Sequence, residues 1–183
     1  MDFPTYRMPP PPILTPFHPD SLGLTLPGAG LTPLGSSTSS AWPADNLALF
    51  YPFRLYDWAT AYQLLFWVGA TSSGNIDVGI YDSQKNLIVS SGSTAMSATV
   101  NTVQELNITD TVLPPGDYLL GMVCSTTVGT AFGASGVDEL ALSTLTVYEQ
   151  GTALPLPDPC APVISTMATP TRFVCGIQFR SVF

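Results

Sequence analysis

The sequence predicts an all-β protein: an antiparallel β-sandwich in jelly-roll form, preceded by an extended proline-rich N-terminal arm. Three observations predict it. Asn75–Asp82 (NIDVGIYD) alternates apolar and polar residues, which puts Ile76, Val78 and Ile80 on one face of a strand. Turn signals recur at short spacing after residue 46, and no stretch demands a helix. Leu113-Pro-Pro-Gly-Asp-Tyr118 carries the Leu-x-Pro-Gly-x-Tyr pattern of a tyrosine corner at an inter-sheet crossing, although an ordinary turn before a strand-initial tyrosine fits as well. Pro115-Gly116 suits the central pair of a type II turn, since proline presets the first φ and glycine tolerates a positive second one.

The chain divides into an arm and linker, residues 1–45, and a sandwich domain, residues 46–183. The arm holds ten of the eighteen prolines, including Pro9 to Pro12 in a row. Proline fixes φ and removes a donor, so the arm is not expected in a central sheet. Apolar residues are nevertheless spaced through it. Phe3, Tyr6, Met8, Ile13, Leu14 and Phe17 read as a partner-docking set, where a purely solvated tail would be poorer in them. Gly35–Ser40 reads as a flexible linker.

In the domain, Leu47–Asp57 is the first strand, with Leu49, Tyr51, Phe53 and Leu55 on one face and Pro52 favouring an edge or bulge. Tyr62–Val68 is apolar on both faces, as in a covered central strand. Strands at about 75–82 and 87–91 follow around the turn Ser83–Asn86, then a polar loop at 92–101. Thr102–Thr109 points Leu106 and Ile108 inward, and Tyr118–Ser125 is another core strand. Residues 126–139 read as a long loop, with a short strand within 140–148. Residues 151–170, with five prolines, should run extended without regular structure. Arg172–Phe183 alternates with Phe173, Cys175, Ile177, Phe179 and Phe183 inward, and Leu47–Asp57 is its expected partner.

Charged residues make up only 10% of the chain, against roughly 25% in an ordinary globular protein. Ser, Thr, Asn, Gly, Ala and Pro must supply the surface, which suits a protein packed against partners or outside the cell. The net charge is −8 with five basic residues and no basic cluster, which argues against a nucleic-acid partner. An acidic surface is not drawn to an anionic membrane, and no apolar run approaches the ~20 residues of a span. The opening MDFPTYRMPPPPILTPF lacks the charged and apolar regions of a secretory signal, so assembly in the cytoplasm is expected.

Catalytic chemistry finds few residues. His18, the single histidine, lies in the arm, so neither a Ser-His-Asp triad nor a histidine metal site can be assembled from the domain. Asp77 and Asp82 fall on opposite faces of their strand, Asp138-Glu139 is a loop pair, and each reads as a solvated charge rather than a glycosidase pair. Asp82, Asn86 and Asp117 are too sparse for a dedicated calcium loop. Cys124 and Cys175 read as buried thiols, and a Cys160–Cys175 disulfide is the weaker alternative. No catalytic residue, cofactor or metal ligand is therefore assigned. Trp42, Trp58 and Trp67 are candidate glycan-stacking or interface aromatics, with ordinary packing the simpler reading.

The run FWVGATSSGNIDVGIYDSQKNLIVSSGSTA, followed by LNITDTVLPPGDYLLGM, resembles β-sandwich structural proteins of tailed bacteriophage virions, over roughly residues 47–125. The resemblance implies a non-enzymatic virion component of the head-decoration, tail or fibre-associated kind. Such a protein would dock on major capsid or tail proteins by its arm and expose its sandwich on the particle surface. A homo-oligomer, for example a trimer, is expected. The alternative is a carbohydrate-binding module or adhesin that takes a host-surface glycan.

Overall fold

Alternating apolar side chains are realised as strands throughout the described part of this computed structural model, residues 24–25, 37–134, 148–151, 154–164 and 172–181. In chain order the strands are β1 (Leu24–Thr25), β2 (Ser37–Ala41), β3 (Leu47–Leu55), β4 (Ala59–Val68), β5 (Asn75–Tyr81), β6 (Leu87–Ser90) and β7 (Thr94–Ala95). They continue as β8 (Thr102–Leu113), β9 (Gly116–Cys124), β10 (Thr130–Ala134), β11 (Tyr148–Gly151), β12 (Val163–Ile164), β13 (Arg172–Phe173) and β14 (Cys175–Ser181). There is no helix among the described residues. The arm residues Phe3, Tyr6, Met8, Ile13, Leu14 and Phe17, with His18, Asp138, Glu139 and Phe183, lie outside them.

The strands form two antiparallel sheets. Sheet 1 is built on β4, which pairs β8 on one side and β14 on the other. β1 adds to the free side of β14. β10 meets the end of β4 at Ala131–Val68, pairs β13, and carries β2. Sheet 2 runs β12-β11-β3-β9-β5-β6, with β7 also on β5. One core lies between the sheets. β3 contributes Leu49, Tyr51, Phe53 and Leu55, β4 contributes Leu64, Phe66 and Val68, and β5 contributes Ile76, Val78 and Ile80. Leu120, Met122, Phe173, Ile177 and Phe179 complete it, and all are buried as the alternation predicts.

A second apolar layer covers the outside of sheet 2. Residues 154–160 cross it as a strap, setting Leu156 and Cys160 on Ala48, Phe50, Tyr81 and Val123. Gly79 and Gly121, paired across β5 and β9, make this approach possible. A Cβ on Gly79 would sit 3.0 Å from Leu156 Cδ1, and one on Gly121 would sit 2.9 Å from the Tyr81 ring. Neither position has room for a side chain.

The structure corrects several sequence expectations. The terminal strand β14 pairs β4, not β3; β3 lies in the other sheet, between β9 and β11. Alternation identifies which face of a strand is buried but not which sheet it joins. Residues 37–40, expected in a flexible linker, belong to β2 and pair β10 from Ser37↔Ala134 to Ala41↔Thr130. Asp77, expected as a solvated charge, is buried by the strap together with Tyr81 on the same face of β5. The segment 151–170 is not wholly irregular, since Val163–Ile164 pairs β11. The buried thiols expected at Cys124 and Cys175 are present, and the weaker disulfide alternative is not: Cys160 sits at the end of the strap and Cys175 in the inter-sheet core, so sheet 2 separates them.

Candidate functional site

Next to the strap, the outside of sheet 2 opens into a cleft of about 580 Å³. Its floor is made where β3 and β9 pair, with Pro52 opposite Leu119 and Arg54 opposite Asp117. One wall is the turn after β5, with Asp82, Ser83 and Lys85; the other is Tyr148 of β11 with Pro162 at the end of the strap. The walls are thus apolar and aromatic on one side and polar on the other.

Each polar group has a local cause for its position. Arg54 and Asp117 are cross-strand neighbours, and the guanidinium donates to both carboxylate oxygens at 2.6 Å. This hydrogen-bonded pair lowers the Asp117 pKa and raises that of Arg54. Both side chains are more than half exposed, so the pair adds little stability. Asp82 is committed to its own turn. Its Oδ1 accepts the Gln84 and Asn86 backbone N–H groups, and its Oδ2 accepts from Asn86 Nδ2. The Asn86 side-chain bond is the main cause of its lowered pKa. Lys85 takes the positive φ of 71° that this tight turn requires. With these bonds made, Asp82 and Asn86 offer no open calcium cradle. Among the described residues no three His, Cys, Asp or Glu side chains gather to hold a metal.

Beneath the cleft lies the tyrosine corner. Tyr118 donates its hydroxyl to the Pro114 carbonyl at 2.6 Å, and its ring stacks on Phe53 at 5.5 Å. Burial raises the Tyr118 pKa. The corner turns the chain from β8 in sheet 1 to β9 in sheet 2, as the motif implies.

The strap is clasped by buried polar groups that sequence reading leaves on a solvated face. Asp77 is fully buried; its Oδ2 accepts the Leu156 N–H at 3.0 Å and its Oδ1 accepts from Ser91 Oγ at 3.2 Å. Burial raises its pKa, opposed by these hydrogen bonds. Tyr81 donates to the Pro157 carbonyl at 2.7 Å, and burial pushes its phenol upward. Asp158 accepts the Leu87 N–H, and the Cys160 N–H donates to the Lys85 carbonyl. The paired glycines of β5 and β9 and the spaced prolines downstream are the signals that point to this cover.

The three tryptophans part company. Trp42 is in the core: its ring packs on Phe173 at 4.6 Å and its Nε1 donates to the Leu47 carbonyl at 2.8 Å, so it cannot stack a glycan. Trp67 is half-buried in β4. Trp58 is exposed on the β3–β4 turn close to exposed Tyr56. Neither exposed aromatic lines the cleft. Comparison with protein-family models, with characterised proteins and with solved structures finds no match for this chain.

Proposed function

We propose that this chain is a non-enzymatic structural protein of a tailed-phage virion. Its N-terminal arm docks it on capsid or tail proteins, and its sandwich faces outward. The observation that carries this reading is the way the N-terminal segments meet the domain. Leu24–Thr25 and Ser37–Ala41 add to sheet edges by antiparallel backbone pairing. Strand addition at an edge needs little side-chain chemistry, and an arm that already binds this way in its own sheet is equipped to bind a neighbour's. The low-charge surface and the resemblance of residues 47–125 support the same reading.

The jelly-roll order of strands is the finer part of the sequence expectation. The pairing of β4 with β8 and of β5 with β9, joined through a tyrosine corner, favours an immunoglobulin-type order. In that order β14 takes the place of a first strand beside β4, and β3 that of a last strand beside β9.

The second reading, a glycan-binding adhesin, rests on Trp58 and Tyr56, half-exposed on one turn. One pair of measurements separates the two. Deleting residues 1–20, which stops short of β1, should leave the domain folded and abolish incorporation into particles. Incorporation at the wild-type level would overturn docking by the arm. Glycan-array binding by the full chain that Trp58→Ala abolishes would favour the adhesin.

A further inference from the structure

The outside of sheet 2 already receives one proline-rich segment of this chain. The strap, Leu154-Pro-Leu-Pro-Asp-Pro-Cys160, lies across β3, β9 and β5, buries Leu156 and Cys160, and is held through its backbone by Asp77 and Tyr81. It covers only part of the face. Just past its end, at Pro162, the cleft begins, and Tyr148 packs both against the strap's cluster and into the cleft wall. The unfilled space continues the filled one.

What fits such a cleft is set by its lining. Tyr148, Pro52, Pro162 and Leu119 offer apolar surface on which a polyproline II segment can lie, and such a segment arrives with its entropy already reduced and without internal hydrogen bonds. The opposite side is polar and carries both signs, Asp82 and Lys85 on the turn and the Arg54–Asp117 pair on the floor. The chain holds a segment that matches the apolar side: Arg7-Met-Pro-Pro-Pro-Pro-Ile-Leu-Thr-Pro-Phe17, with four consecutive prolines and spaced apolar residues. We infer that the cleft on the outside of sheet 2 is the receptor for residues 7–17 of the N-terminal arm of a neighbouring copy.

A neighbouring copy is the natural donor. Leu24 is fixed on the edge of sheet 1, and the cleft opens on the far side of sheet 2. Six residues lie between Phe17 and Leu24, so the tether of seven Cα–Cα steps reaches about 25 Å at full extension. Within one copy it would have to round both sheets, which are ~10 Å apart before their outer side chains are counted. Donation to an adjacent copy meets no such limit and links copies by avidity. The inference rests on the arm-docking reading above and adds to it a second contact of the arm, one between neighbouring copies.

The test uses the full chain. A photo-reactive residue is placed at Ser83, which is exposed on the cleft rim. Isotopically heavy and light preparations are mixed, irradiated and mapped by mass spectrometry. The expected result is heavy–light cross-links from position 83 to residues 7–17. Tyr148→Ala and Leu119→Asp should each cut their yield at least tenfold with the circular-dichroism spectrum unchanged. If either variant loses its native spectrum, competition of the cross-link by a synthetic peptide of residues 5–18 takes its place, with loss of the heavy–light product expected. Cross-links confined to a single copy, links only to other segments, or none would overturn the inference. Particle incorporation that needs residues 1–20 while no cross-link forms would retain the arm-docking reading and reject this surface. Heavy–light cross-links in a protein that incorporates without its arm would do the reverse.

Discussion

Tyr118 and Asp77 show how single buried polar groups hold this sandwich together. The Tyr118 hydroxyl ties the β8–β9 turn to itself through the Pro114 carbonyl. Tyr118→Phe leaves the ring on Phe53 but orphans that carbonyl, at an expected cost of about 1 kcal/mol in urea melts. An unchanged midpoint and slope would remove the corner from the account of stability. Asp77 accepts where Tyr118 donates. Burial raises its pKa, so the folded state binds this proton more tightly than the unfolded chain does. The contribution of Asp77 is therefore fullest below the ordinary aspartate value of about 4 and falls as pH rises through the folded-state value. Asp77→Asn keeps an acceptor for the Leu156 N–H and removes the titration. The stability of the wild type minus that of Asp77→Asn should decline from pH 4 to pH 7 in parallel urea melts. A difference that grows with pH would show that the hydrogen bonds outweigh burial at this site.

At the scale of elements, local pattern and long-range partnership separate cleanly. Alternation places Ile76, Val78 and Ile80 in the core because a strand's inward face depends only on its own sequence. The Leu-x-Pro-Gly-x-Tyr spacing marks the corner for the same reason: its bond spans four residues. Where the partner lies far along the chain, sequence reading fails. Asp77 is buried by Leu156, 79 positions away, and by alternation alone it sits where solvent should be. Ser37–Ala41 has the composition of a linker, yet polar residues with free backbone groups serve an edge strand well. Trp42, next to that strand, enters the core because β2 on β10 brings it over Phe173. The cleft was legible only in pieces: Arg54, Asp117 and Tyr148 lie on three strands whose order no local pattern encodes.

For the molecule as a whole, the two ends of the chain carry unequal weight. The N-terminal residues up to 23 precede every described strand, and β1 adds just two residues to an edge. The C-terminal strand β14 occupies the interior of sheet 1, pairing β4 from Cys175↔Phe66 to Ser181↔Ala59, and with β13 it inserts Phe173, Cys175, Ile177 and Phe179 into the core. Fully burying one such side chain contributes about 1.5–3 kcal/mol, so losing these four removes an amount comparable to the whole 5–15 kcal/mol stability of a typical domain. It also exposes one side of β4 and β10 to edge-to-edge association. Sheet 1 cannot close until the last residues arrive, and a chain ending at residue 171 should lack a cooperative melt and aggregate. A chain beginning at residue 21 should keep its unfolding midpoint within about 0.5 kcal/mol of the full protein, the scatter expected of changes that touch no buried feature. Urea melts of both truncations, followed by tryptophan fluorescence from Trp42 in the core, decide the matter. Equal losses at the two ends would mean that the arm is part of the folding unit and not an appendage for docking.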